Sequence, residues 1–209
     1  MDQYRCRPEE LPRNLYRVQY PKSRTNQSDE GLTAADTTTI YGDSEHQRGL
    51  FRLAVENHFT WSYRGASPFI SLFSDREHAV SWACSEPWRG SSPHSEDWTF
   101  CTISTSLLHE VYVFKVSSLV DELRVKIPEK AEQHKKGGYI CLHRVPEHAI
   151  IEEQLPRDVK GRTRELDDDY DDNRWDPYGG YDSDDSAVVN NYDDNMIREL
   201  EEFYSRWGI

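Results

Sequence analysis

Apolar and polar positions follow several rhythms along this chain, and each rhythm predicts an element. Asn14 to Tyr20 (NLYRVQY) mixes aromatic and β-branched residues with polar ones, as a half-buried strand does. Residues 1–13 before it read as irregular. Residues 21–43 are polar, contain Gly31 and Gly42, and read as loop. The period then lengthens. Ser44 followed by Gln47 is a capping-box pattern, and behind it Leu50, Leu53, Ala54 and His58 share one face of a helix over 44–58. Residues 68–73 (PFISLF) predict a second strand. Ser74 and Glu77 form another capping box, with Ala79, Trp82 and Ala83 lining one face of a helix over 74–84.

Residues 85–97 read as loop. Strands follow at 98–105 and 110–116, joined by a turn or short hairpin. Short helices are expected at 117–123 and 129–136. Gly137-Gly138 then leads into a strand over 139–144, and 149–153 reads as one more. The connections are too short for many parallel crossovers. The fold class is therefore α+β, with two small, mostly antiparallel sheets around a cleft.

After Pro156 the pattern stops. Glu165–Asp185 carries ten carboxylates and one arginine, a composition that repels itself and buries too little apolar surface to order. Asp193 or Asp194 can cap a final helix, where Met196, Leu200, Phe203, Tyr204 and Trp207 recur at spacings of three and four. The organisation read from the chain is an irregular stretch over 1–13, a domain over 14–160, a disordered acidic spacer over 161–191 and an amphipathic helix over 192–209. That helix should dock on its own domain or on a partner. Asp193, Asp194 and Glu199 read as a solvated helix face with its cap.

Charge changes this picture in one respect. The net charge is −13, yet residues 165–209 hold 15 acidic and 3 basic residues, and the preceding 164 hold 23 and 22. The acidity belongs to the tail. The domain is near neutral and open to an anionic ligand, but it has no basic stripe for extended nucleic acid. No apolar run approaches the roughly 18–20 residues of a membrane helix. The first residues show no apolar signal region, so a cytoplasmic protein is expected. Cys6, Cys84, Cys101 and Cys141 form no CxxC pair and no finger-like spacing with histidine, so no metal site is expected and core thiols are. Trp61, Trp82 and Trp98 read as core residues.

Three blocks stand out in order: Leu15-Tyr16-Arg17-Val18, the serine-bearing SPFISLFSDREHAVSWA over 67–83, and HRVPEHAI over 143–150. On residue type alone, Arg17 is equally a salt-bridged strand arginine, Ser74 a helix cap, Ser71 a small strand residue and His143 a core histidine. Together and in this order the blocks resemble the cholera-toxin type of ADP-ribosyltransferase fold, and most of all a group of small fungal domains of that layout, over about residues 14–153. The resemblance implies that Arg17 holds the phosphates of NAD through its planar fork of donors. It makes Ser71 and Ser74 the serines that brace the pocket. Tyr16, Phe73, Tyr139 and His143 are the implied substrate contacts. The family's glutamate stands about eight residues before an Ile/Val-Pro pair and stabilises the cation formed as nicotinamide leaves. Counting back from Val145-Pro146 reaches Gly138 instead, and Glu132, Glu147, Glu152 and Glu153 are off the motif position. The later Ile103-Ser104-Thr105-Ser106 repeats the serine motif without a capped helix after it.

Three functions are thus in view. The first is a group-transfer enzyme on this scaffold with altered chemistry, acting on an adenosine- and phosphate-bearing substrate, NAD among the possibilities. The size, cytosolic character and fungal look of the chain are also similar to those of the arginine-containing cyclodipeptide synthases of fungal secondary metabolism, which use aminoacyl-tRNA as substrate and release a diketopiperazine. The third is a binding module that has lost its chemistry with the glutamate.

Overall fold

The computed structural model describes residues 1–20, 23–60, 62–84, 98–132 and 135–161. These fall in one compact unit, Met1–Asp167. The acidic spacer, the C-terminal helix and Trp61 lie outside the described residues.

In chain order the elements are β1 (Asn14–Gln19), β2 (Asn26–Ser28), β3 (Gly31–Thr33), α1 (Glu45–Phe59), β4 (Phe69–Phe73), α2 (Arg76–Cys84), β5 (Thr99–Ser104), β6 (Val113–Lys115), α3 (Val116–Leu123), α4 (Glu129–Glu132), β7 (Gly138–Leu142), β8 (Arg144–Pro146) and β9 (Ile150–Gln154). Among the described residues the strands make two sheets. One has six strands in the order β6-β7-β4-β1-β5-β9, the other three in the order β2-β3-β8. Every pairing is antiparallel. The protein is therefore an α+β domain with two antiparallel sheets.

Several local expectations are corrected. The polar stretch 21–43 holds the hairpin β2–β3. Gly31 makes its return possible: its φ is +106°, and a Cβ there would sit 2.2 Å from the carbonyl oxygen of Val145. β5 and β6 do not form a hairpin. β5 pairs with β1 and β9, whereas β6 pairs with β7 at the other side of the sheet. The strand expected over 139–144 is two strands, broken at His143. Its φ of +64° turns the chain out of the large sheet and into the small one. His143 is tied on both sides, its N–H donating to the carbonyl of Pro68 and its carbonyl accepting from Ala34. Residues 156–161 are helical, with Val159 buried, so order continues past Pro156.

The core explains the layers. Ser44 caps α1 as its sequence suggests, its Oγ accepting from the N–H of Gln47 at 3.2 Å. The buried stripe of α1 is Phe51, Val55 and Phe59, one position away from the expected face; Leu50 and Leu53 are 42% and 50% exposed. Phe51 packs among Tyr41, Phe69 and Phe114. α2 covers the same face of the sheet over Val18, Phe73 and Phe100. Its buried residues are Ala79, Val80 and Ala83, with Trp82 half-buried. The small sheet covers the opposite face, where Leu32 and Val145 meet Leu15, Ile70 and Ile103. Burial of each such side chain contributes about 1.5–3 kcal/mol.

Candidate functional site

The six-stranded sheet is not evenly zipped. β1 pairs with β5 over all six of its residues, from Asn14↔Ser104 to Gln19↔Thr99. Against β4 it registers only at Tyr16↔Phe73. Continuing that register would set Val18 opposite Ser71, but the strands part before then. The side chain of Arg17 fills the gap, and its Nη1 donates to the carbonyl oxygen of Ser71 at 2.9 Å. A side-chain donor replaces the missing ladder donor.

Arg17 is buried, with 7% of its surface exposed. Its Nη2 donates to Ser23 Oγ at 2.8 Å and its Nε to Gln19 Oε1 at 3.1 Å. Gln19 Nε2 donates onward to the carbonyl of Thr25 at 2.6 Å. The chain after β1 is thereby folded back over the guanidinium. Among the described residues every partner of Arg17 is neutral, and no carboxylate pairs with it. Burial pulls its pKa below the usual arginine value. Desolvating a cation held by neutral partners costs several kcal/mol.

Arg17 lies in the wall of a cavity of about 350 Å³. β1, β4 and β7 supply Arg17, Ser71, Phe73, Gly138 and Tyr139. α1 supplies His58 and Phe59, α2 supplies Trp82, and the intervening segments add Arg24, Arg64 and Ser67. Among the described residues, three arginines and no aspartate or glutamate line it. Arg24 donates to the carbonyl of Tyr63 and lies over the ring of Tyr63. Arg64 is exposed at the rim.

His58 is the second feature of the cleft. Its Nδ1 lies 2.8 Å from Ser67 Oγ and its Nε2 2.7 Å from Ser71 Oγ. Burial first, and then the guanidiniums of Arg17 and Arg24, push its pKa down to about 3. The imidazole is therefore neutral, with one ring nitrogen donating and the other accepting. Ser67 Oγ also accepts from the N–H of Phe69 at 3.3 Å.

The residues singled out from sequence divide. Arg17, Ser71, Phe73, Tyr139 and Gly138 come together at the cleft. Ser74 does not line it, nor does it cap α2. Asp75 caps that helix, its Oδ1 accepting from the N–H groups of Glu77 and His78 at 2.9 and 3.2 Å. Ser74 instead donates from both N and Oγ to the carbonyl of Gly137, pinning the entry to β7. Tyr16 points to the α2 side and packs on Phe100. His143 lines a separate cavity of about 630 Å³, with Nε2 2.9 Å from the carbonyl oxygen of Thr39. Glu147, Glu152 and Glu153 line a third cavity with Gln27. Sequence reasoning missed His58 as a site residue, together with Ser23, Arg24, Arg64 and Ser67. The one legible signal was a polar residue at the end of an apolar helix face.

An α+β domain whose sheet opens beside a buried arginine, into a cleft that three arginines and, among the described residues, no carboxylate line, is the class that fold and site define. Residues 10–159 match the family described as "Domain of unknown function (DUF7587)", and the chain belongs to that family. No curated protein and no solved structure matches it.

Proposed function

We propose that the cleft binds a phosphate-bearing substrate of adenosine type and transfers a group from it, on a scaffold resembling that of the ADP-ribosyltransferases but with different chemistry. Arg17 carries this reading. A buried guanidinium with, among the described residues, no carboxylate beside it is stabilised by an anion, and a phosphate arriving in the cleft supplies one. Arg24 and Arg64, from the same wall, add charge for a diphosphate. Gly138 lines the cleft where the resemblance calls for the glutamate. With no side chain there, nothing at that position stabilises the cation left by nicotinamide departure, so the reaction is other than ordinary ADP-ribosyl transfer.

Calorimetric titration with ADP and with NAD tests this reading. Binding to wild type and loss in Arg17→Ala support it; no binding to folded wild type overturns it. Gly138→Glu separates two versions. Gain of nicotinamide release marks a modified ADP-ribosyltransferase, and a silent, inhibited cleft marks one rebuilt for another substrate.

A second reading is favoured by the Ser71–His58 contact. A hydroxyl against an imidazole is the start of acyl transfer. The substrate would then be an aminoacyl-tRNA, its terminal adenosine and phosphates held at Arg17, and the product a diketopiperazine. Untargeted metabolite profiling of a host expressing the chain tests it: a new diketopiperazine supports it, and an unchanged profile counts against it.

A further inference from the structure

We propose that Ser71 and His58 are the nucleophile and base of the cleft, and that the substrate's own phosphate supplies the negative charge that the protein withholds from this pair. The proposal rests on the reading of the cleft as a phosphate site.

The geometry singles out Ser71. Both imidazole nitrogens of His58 face serine hydroxyls, at 2.8 Å for Ser67 and 2.7 Å for Ser71. The two serines differ in surroundings. Ser67 is buried, and its Oγ already accepts from the N–H of Phe69. If His58 Nδ1–H donates to Ser67 as well, both lone pairs of Ser67 are used, and Nε2 is left bare toward Ser71. Ser71 is only half-buried, lines the cavity, and makes no other side-chain hydrogen bond among the described residues. Ser67 is the orienting residue and Ser71 the reacting one, in the nucleophile–base–orienter order of covalent catalysis.

The orienting position differs from the familiar triad in one way. A carboxylate there stabilises the imidazolium that forms during reaction. Here it is a hydroxyl, and among the described residues the charged groups facing His58 are Arg17 from β1 and Arg24 from the segment after it, with Arg64 further along the wall. All three are cations. Burial first, and then Arg17 and Arg24, oppose protonation of His58. A phosphate seated among them offsets their charge and raises the basicity of Nε2. The base is thus strengthened when substrate is present.

The step balances without a co-reactant. Ser71 Oγ attacks the carbonyl carbon of an ester on the adenosine-type substrate while its proton passes to His58 Nε2. The ester C–O bond breaks, the departing hydroxyl oxygen takes the proton back, and an acyl–Ser71 ester remains. Transfer to a second nucleophile reverses the proton path.

A fluorophosphonate probe tests this on the full chain, with the adduct located by peptide mass spectrometry. The expected adduct is on Ser71, and its formation rate is flat from pH 5 to pH 8 because His58 is already neutral. His58→Gln slows it by about 10²–10⁴-fold, the range of general base catalysis. Mapping in the wild type needs no variant to fold. An adduct on another serine, no adduct, or a rate indifferent to His58→Gln overturns the proposal, because a mere hydrogen-bonded latch between α1 and β4 leaves Ser71 unreactive. ADP binding by wild type without any Ser71 adduct defeats the pair alone. Failure to bind ADP, with Ser71 still labelled, defeats the phosphate reading instead.

Discussion

The two edges of β1 behave differently. Toward β5 the strand is zipped through all six residues, and Leu15 and Ile103 sit opposite each other with no exposed surface. Toward β4 it holds one pair and then lets go, and a charged side chain takes the place of backbone. The first edge makes stability and the second opens a cavity. Regular pairing satisfies every polar group locally and leaves nothing for a ligand. Where pairing lapses, Arg17, Ser71 and the Ser23 loop must satisfy one another, and they do so around a space.

That contrast can be broken in graded ways. The largest effect is expected on the zipped edge. Ile103→Ala should lower unfolding stability by about 2–5 kcal/mol in urea titration, as buried Ile→Ala changes do, without altering ADP affinity of the folded fraction. A matching loss of affinity would mean the two edges are not separable. On the open edge, Arg17→Ala should cost about 2–4 kcal/mol of ligand binding, as loss of a buried charge-assisted contact does. Its readout is calorimetry, and its effect on binding should exceed its effect on stability.

A pH titration of stability sharpens the comparison further. His58 is held down to about 3 in the folded chain against an ordinary 6.5. Between those values the unfolded chain binds the proton and the folded chain does not, so stability falls as pH drops from about 6.5 toward 3. The urea midpoint of wild type should decline across that window more steeply than that of His58→Gln. Equal slopes would show that His58 is not the titrating group. The smallest effect belongs to Ser71→Ala. It should change ligand binding by about 1 kcal/mol, the size of one neutral hydrogen bond.

The zipped parts of the fold were the legible ones. α1 announces itself because burial on one face imposes a period on the sequence, and β1, β4 and β5 because they are short apolar or aromatic runs between polar segments. The hairpin of β2 and β3 was illegible for the same reason. Its first strand, Asn26-Gln27-Ser28, is exposed throughout and carries no apolar alternation. The break between β7 and β8 was hidden because a left-handed residue is usually glycine, and here it is His143. At α1 the period was right and the phase wrong, since Leu50 and Leu53 match the spacing as well as Phe51 and Val55 do. The order of motifs singled out Arg17 and Ser71, and both line the same cavity. His58 was not singled out, because its partners Ser67 and Ser71 lie on another element, and only the fold brings them within reach. Ser74 shows the converse: a capping pattern in the letters, while Asp75 makes the cap and Ser74 holds β7.

The central claim is that the gap between β1 and β4 is an anion site built on the two-pronged geometry of Arg17. Its most direct test is an ADP titration of wild type beside Arg17→Lys, which keeps the charge and loses the fork. Binding by wild type, weakened at least about tenfold in the lysine variant, a difference of about 1.4 kcal/mol, is the expected result. Equal binding by both folded proteins, or none by wild type, would contradict it.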